Sequence, residues 1–81
     1  MDTPVFDYSL LRKKIKSVLG TESEFAKEIG IGRVSASKRF NNKLEFTAQE
    51  MYKSAVILGF DLAEIPLYFF TIKVQKHERA Q

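Results

Sequence analysis

The stretch EFAKEIGIGRVSASKRFN, Glu24 to Asn41, decides how the chain is read. Phe25, Ala26 and Ile29 recur at helical spacing and mark one buried face, which stops at Gly30 after only about two turns. Gly30 offers the positive φ that commonly closes a helix. Ile31 and Gly32 lead straight into a second short helix over about Arg33 to Asn41, with Ala36 and Phe40 predicted to face inward and Val34 or Ser37 at the flank. Arg33, Lys38 and Arg39 then project elsewhere, along with the hydroxyls of Ser35 and Ser37. Asn41, Asn42 and Lys43 end the helix in a loop. Two helices this short, joined by so tight a turn, are unusual in simple bundle packing.

Helical patterning continues on both sides. Thr21-Glu22-Ser23-Glu24 is a capping-box sequence that opens the helix ending at Gly30. Before it, Leu11, Ile15, Val18 and Leu19 form the stripe of a first helix, with Asp7 as a candidate cap and Gly20 as its stop. After the loop, Thr47-Ala48-Gln49-Glu50 is a second capping box, and Phe46 and Met51 stand where a hydrophobic staple would place them. Met51, Ala55 and Leu58 supply that helix's core stripe, and Gly59 ends it. Asp61 caps a short turn, Leu62 to Ile65, and Pro66 suits the first position of a further turn through about Phe70.

The C-terminal end changes period. Phe70, Ile72 and Val74 alternate with Thr71, Lys73 and Gln75, the pattern of a strand. With no second strand evident, this segment must pair with another molecule, pack as an extended arm, or fray. The expected fold is all-α: about five short helices and an extended C-terminal arm, forming one domain over residues 1–76 with a disordered tail at 77–81.

The totals narrow the function classes. The chain has 81 residues, 44% hydrophobic and 28% charged, the balance of one small globular domain. It has no cysteine and a single histidine, His77, so neither a disulfide nor a histidine or cysteine metal cluster is expected. No metal or cofactor is implied. An enzyme is not expected either, since no phosphate-cradling glycine loop and no histidine beside a nucleophile can be found. No apolar run approaches membrane-spanning length and the first residues do not resemble a signal peptide, so the expected location is the cytoplasm. The net charge is +3, but its distribution is uneven. Arg12, Lys13, Lys14 and Lys16 form one basic cluster, and Arg33, Lys38, Arg39 and Lys43 form another with no acid inside. Segregated patches of this kind suit phosphate binding, and they equally suit two solvated helix faces.

Residues 24–41 resemble the helix-turn-helix of phage repressor and Cro proteins. Ala26 stands where two helices approach closely, Gly30 at the turn, Ile31 where the turn plugs into the core, and Phe40 where the following loop is anchored. The likeness continues through Phe40-Asn41-Asn42-Lys43, Glu45-Phe46-Thr47 and Met51 to Gly59. Ile65-Pro66 and Tyr68-Phe69-Phe70 resemble the end of Cro-like proteins from phages of Gram-positive hosts. In all it covers about residues 8–72 and implies a lambda-repressor-like fold.

The resemblance implies a transcriptional regulator that reads a double-stranded DNA operator in the major groove with residues 33–40, acting as a homodimer. Carried over by position, Arg33, Val34, Ser37 and Lys38 are candidates for base contact, and Thr21, Ser23, Arg39, Asn41 and Lys43 for the DNA backbone. Tyr68, Phe70, Ile72 and Val74 are the dimer candidates. The aromatic set Phe60, Tyr68, Phe69 and Phe70 reads as core or dimer packing rather than base stacking. Two positions depart from the family pattern. Glu22 stands where a phosphate-donating glutamine is frequent, and a carboxylate there repels phosphate. Arg39 stands where many relatives are apolar. The alternative is a module of the same fold that binds protein, modulating another repressor or pairing as an antitoxin does.

Overall fold

Asp7 starts the first helix by an Asx turn: its Oδ1 accepts from the Ser9 hydroxyl at 2.6 Å and the Ser9 amide at 2.8 Å. These two bonds, the hydroxyl first, hold its carboxyl below the ordinary aspartate range. The computed structural model describes residues 4–73. Over this span five α-helices follow one another: α1 (Ser9–Val18), α2 (Glu22–Ile29), α3 (Arg33–Phe40), α4 (Ala48–Leu58) and α5 (Ile65–Phe69), the last preceded by a 3-10 turn at Leu62–Glu64. The fold is all-α. Val74 and the expected tail at 77–81 lie outside the described residues.

The helix boundaries follow from the caps. Thr21 Oγ1 accepts from the Glu24 amide at 3.1 Å and Gly30 closes α2 at φ 84°, in the left-handed region. At α4 the capping box is complete: Thr47 Oγ1 accepts from the Glu50 amide at 3.2 Å, and Glu50 Oε1 accepts from the Thr47 amide at 3.0 Å. In α2 only the threonine half of the box forms. Gly32, without a side chain to cap α3, stands in extended conformation at its N-terminus.

One core unites the helices. Leu11 and Ile15 of α1, Phe25 and Ile29 of α2, Phe40 of α3, Ala55 and Leu58 of α4, and Tyr68 and Phe69 of α5 are buried together with Tyr8, Phe46 and Phe60. Val18, expected on the inward stripe of α1, is exposed, and Leu19 packs on the core instead. Aromatic rings carry much of this packing. Phe46 meets Phe69 edge-on at 5.0 Å, and Phe60 stacks on Tyr68 at 4.0 Å. Tyr68, expected at a subunit interface, is therefore a core residue of its own chain.

The extended C-terminal segment does find a partner within the chain, which the sequence did not reveal. Phe6 and Ile72 form an antiparallel bridge, with the Asp7 amide donating to Thr71 O at 2.8 Å and the Lys73 amide to Val5 O at 2.7 Å. In this pattern the N–H and C=O of Phe6 point away from residue 72. Asn42 takes both: its Oδ1 accepts from the Phe6 amide at 2.9 Å and its Nδ2 donates to Phe6 O at 3.1 Å. Asn42 itself has φ 63°, a conformation that asparagine tolerates better than most residues.

Asn42 thus ties the Phe6–Ile72 bridge to the loop after α3. Asn42→Ala is expected to lower stability by about 1–2 kcal/mol, through two solvent-facing bonds and added left-handed strain. Asn42→Gly removes the bonds without that strain. In both variants the Asp7 and Lys73 amides should lose hydrogen-exchange protection while the α1–α4 amides keep theirs. Unchanged protection of those two amides in Asn42→Gly would show that the bridge stands without Asn42.

Candidate interaction surface

The phase of α3 is set by Ala36 and Phe40, both buried, and this divides the rest of the helix between two other faces. One face turns to α4 and the other to solvent. On the α4 side, the Arg39 guanidinium meets Glu50 with two bonds, Nε to Oε1 at 2.9 Å and Nη2 to Oε2 at 3.1 Å. Its Nη1 donates to Ser35 O at 3.1 Å and to the Ser35 hydroxyl. Both side chains of the pair are only 12% exposed. Arg39, expected to contact a DNA backbone, is instead spent on an internal bidentate ion pair between α3 and α4. That pairing accounts for a charged residue at a place where an apolar one is commoner.

The solvent face carries the expected cluster. Arg33, Val34, Ser37, Lys38 and Asn41 are all exposed, and Lys43 follows in the loop. Val34 is 71% exposed, the most of any large apolar side chain among the described residues. Asn41 turns back on its own helix, where Nδ2 donates to Ser37 O at 3.0 Å. Thr21 is committed as the α2 cap, and Ser23 is exposed. Between α2 and α3 lies an open cleft of about 540 Å³. Glu22 and Ser23 line it from α2, Arg33, Val34 and Ser37 from α3, and the buried Ala26 and Ala36 form its floor.

Glu22 is fixed at one rim. Arg12 Nη1 reaches its Oε2 at 3.2 Å, and the same guanidinium lies 4.9 Å from the centroid of the Phe40 ring. Arg12 therefore links α1, α2 and α3 rather than adding a free cation to the surface. Lys13 and Lys16 remain exposed. Arg33, Lys38 and Lys43 form no salt bridge among the described residues.

One further feature escaped the sequence reading. Tyr52 and Val56, one turn apart on α4, are exposed at 55% and 62% and form an outward apolar pair. Their i, i+4 spacing beside the Met51–Ala55–Leu58 stripe was the available signal. Of the expected dimer residues other than Tyr68, Ile72 is exposed, and Phe70 sets its half-exposed ring edge-on to Phe6 at 5.9 Å. Among the described residues no helix is long and apolar enough to cross a membrane, and no cluster of three metal-ligating side chains occurs.

A family model described as "Protein of unknown function (DUF739)" matches residues 4–72. The chain belongs to this family. No curated protein sequence matches it significantly. Among solved structures it is similar to the modulator of repression (MOR) of the temperate bacteriophage TP901-1 from Lactococcus lactis, a solution structure. The two share 34% sequence identity with a TM-score of 0.72, over 86% of this chain and 95% of that one. The resemblance read in the sequence pointed to Cro-like DNA readers. This relative also comes from a phage, but it is a modulator of repression.

Proposed function

We propose that this chain is a phage regulatory protein that modulates repression by binding a repressor protein, the second of the two functions the sequence left open. The likeness to the phage modulator, spanning nearly all of that protein, carries this reading. The surface supports it. At the start of α2, where a phosphate donor would serve a DNA-reading face, Glu22 stands beside the exposed Ser23 and pairs with Arg12. Arg39, one of the expected phosphate ligands, is committed to Glu50.

The test uses the repressor encoded in the same regulatory region, as purified full-length protein. Sedimentation of the mixture should give a complex, and the chain should alter that repressor's gel shift on its operator. Alone, the chain should shift the operator no better than an unrelated duplex. Failure to bind the repressor, together with a specific shift by the chain alone, would restore the DNA reading.

Arg33, Lys38 and Lys43, exposed and without an ion-pair partner among the described residues, favour the DNA reading, and two substitutions discriminate it. If the chain reads DNA, Arg33→Ala loses about 1–3 kcal/mol on the preferred operator and relaxes selectivity there. Lys43→Ala then weakens all DNA alike and flattens the salt dependence by about one unit per lost phosphate contact. On the protein reading, neither change separates operator from unrelated DNA.

A further inference from the structure

The α2–α3 cleft has an apolar floor and two rims of opposite charge. Ala26 and Ala36 are buried at its base, small enough to leave room for an incoming side chain, and the exposed Val34 lines it beside them. On the α2 rim the Glu22 carboxylate is positioned by Arg12, which is itself seated on Phe40. On the α3 rim Arg33 has no ion-pair partner among the described residues. A polyanion crossing this cleft is attracted by Arg33 at one rim and meets at the other a carboxylate whose charge the exposed Arg12 pair offsets only in part. A surface carrying both signs meets attraction at both.

We propose that this cleft is the docking site for one helix of the repressor, bearing an apolar side chain flanked by a basic and an acidic residue. The inference rests on the protein-binding function proposed above and names the chemistry of its partner. The apolar side chain enters between Val34 and the Ala26–Ala36 floor, the base pairs with Glu22, and the acid pairs with Arg33. On a helix, three such residues spaced by three or four share one face, the arrangement of helix-in-groove recognition. Opposite charges at the two rims also set the direction in which the helix lies, because reversing it juxtaposes like charges.

Three variants test the site: Glu22→Gln, Arg33→Glu and Val34→Asp. Arg33 and Val34 lie at the surface, and an acid in the first turn of α3 is favoured by the helix dipole, so circular dichroism melts of those two variants should match the parent, while Glu22→Gln gives up an exposed ion pair and should melt only slightly lower. The probes are the full-length repressor from the same regulatory region and a 20-base-pair duplex of unrelated sequence. Repressor affinity should fall about tenfold for Glu22→Gln, more for Arg33→Glu, and about thirtyfold for Val34→Asp. Glu22→Gln should at the same time bind the duplex more tightly, since it removes an anion. If the parent binds repressor and all three variants stay within about twofold of it, the cleft is not the site, although the protein-binding function stands. If Glu22→Gln strengthens repressor binding, the partner is acidic at that rim and the charge assignment fails. If the parent binds no repressor, both the function and this site fall.

Discussion

Replacing Phe40 with alanine is expected to cost about 3–5 kcal/mol. Phe40 is 5% exposed and is the meeting point of three helices and a loop. Its ring lies 5.9 Å from Tyr8, 6.0 Å from Phe25 and 5.5 Å from Phe46. The Arg12 guanidinium covers it at 4.9 Å. Alanine removes the apolar contact and leaves a cavity that these rings cannot close, because each is also held elsewhere. A small domain has about 5–15 kcal/mol of stability in total, so the variant should be partly unfolded at 37 °C. Phe40→Leu keeps most of the volume and loses the edge contacts and the cation seat, at about 1–2 kcal/mol. That variant should stay folded and show weaker protection around Arg12 and Glu22. Urea titrations of both read the result. A melting temperature within a few degrees of the parent for Phe40→Ala would mean that α3 is rotated from the phase described above.

The residues that made the fold legible were those that act locally. Thr21 and Gly30 delimited α2, and Thr47 and Gly59 delimited α4, because a cap and a left-handed stop are satisfied by neighbours in sequence. Ala36 and Phe40 fixed the phase of α3, which in turn placed Arg33, Val34, Ser37 and Lys38 outside. What stayed hidden depends on contacts between distant residues. Phe70 to Val74 read as extended, yet its partner, Val5 to Asp7, is too short to show a period of its own. Asn42 looked like a loop residue and proved to hold Phe6, 36 positions away. Val74 lies outside the described residues and bears on none of this. Function was less legible still, because one helical scaffold presents the same outward face to DNA or to protein. Glu22 was the readable hint, and the geometry of Arg12 gives it weight.

Breaking the Arg39–Glu50 pair should also have a large effect. Glu50 does two things at once: its Oε1 accepts from Arg39 and from the Thr47 amide, so it both pairs across helices and caps α4. Glu50→Ala leaves a largely buried guanidinium uncompensated and opens the cap, at a cost of about 3–5 kcal/mol. Glu50→Gln keeps an oxygen for the Thr47 amide and gives up the charge, so it should cost less. Arg39→Met leaves a carboxylate that still accepts from Thr47 and sits in the first turn of α4, where the helix dipole favours it. Its cost should therefore be smaller than that of Glu50→Ala. The double variant Arg39→Met with Glu50→Gln has no stranded charge, and its loss should fall short of the sum of the two single losses. Additivity within about 0.5 kcal/mol in urea titrations would show that the two groups do not couple. The same cycle decides what Arg39 is for. A residue that serves the fold lowers stability when replaced and leaves the folded protein's salt-dependent DNA affinity unchanged. A phosphate ligand does the reverse, and the two measurements made on Arg39→Met separate these roles.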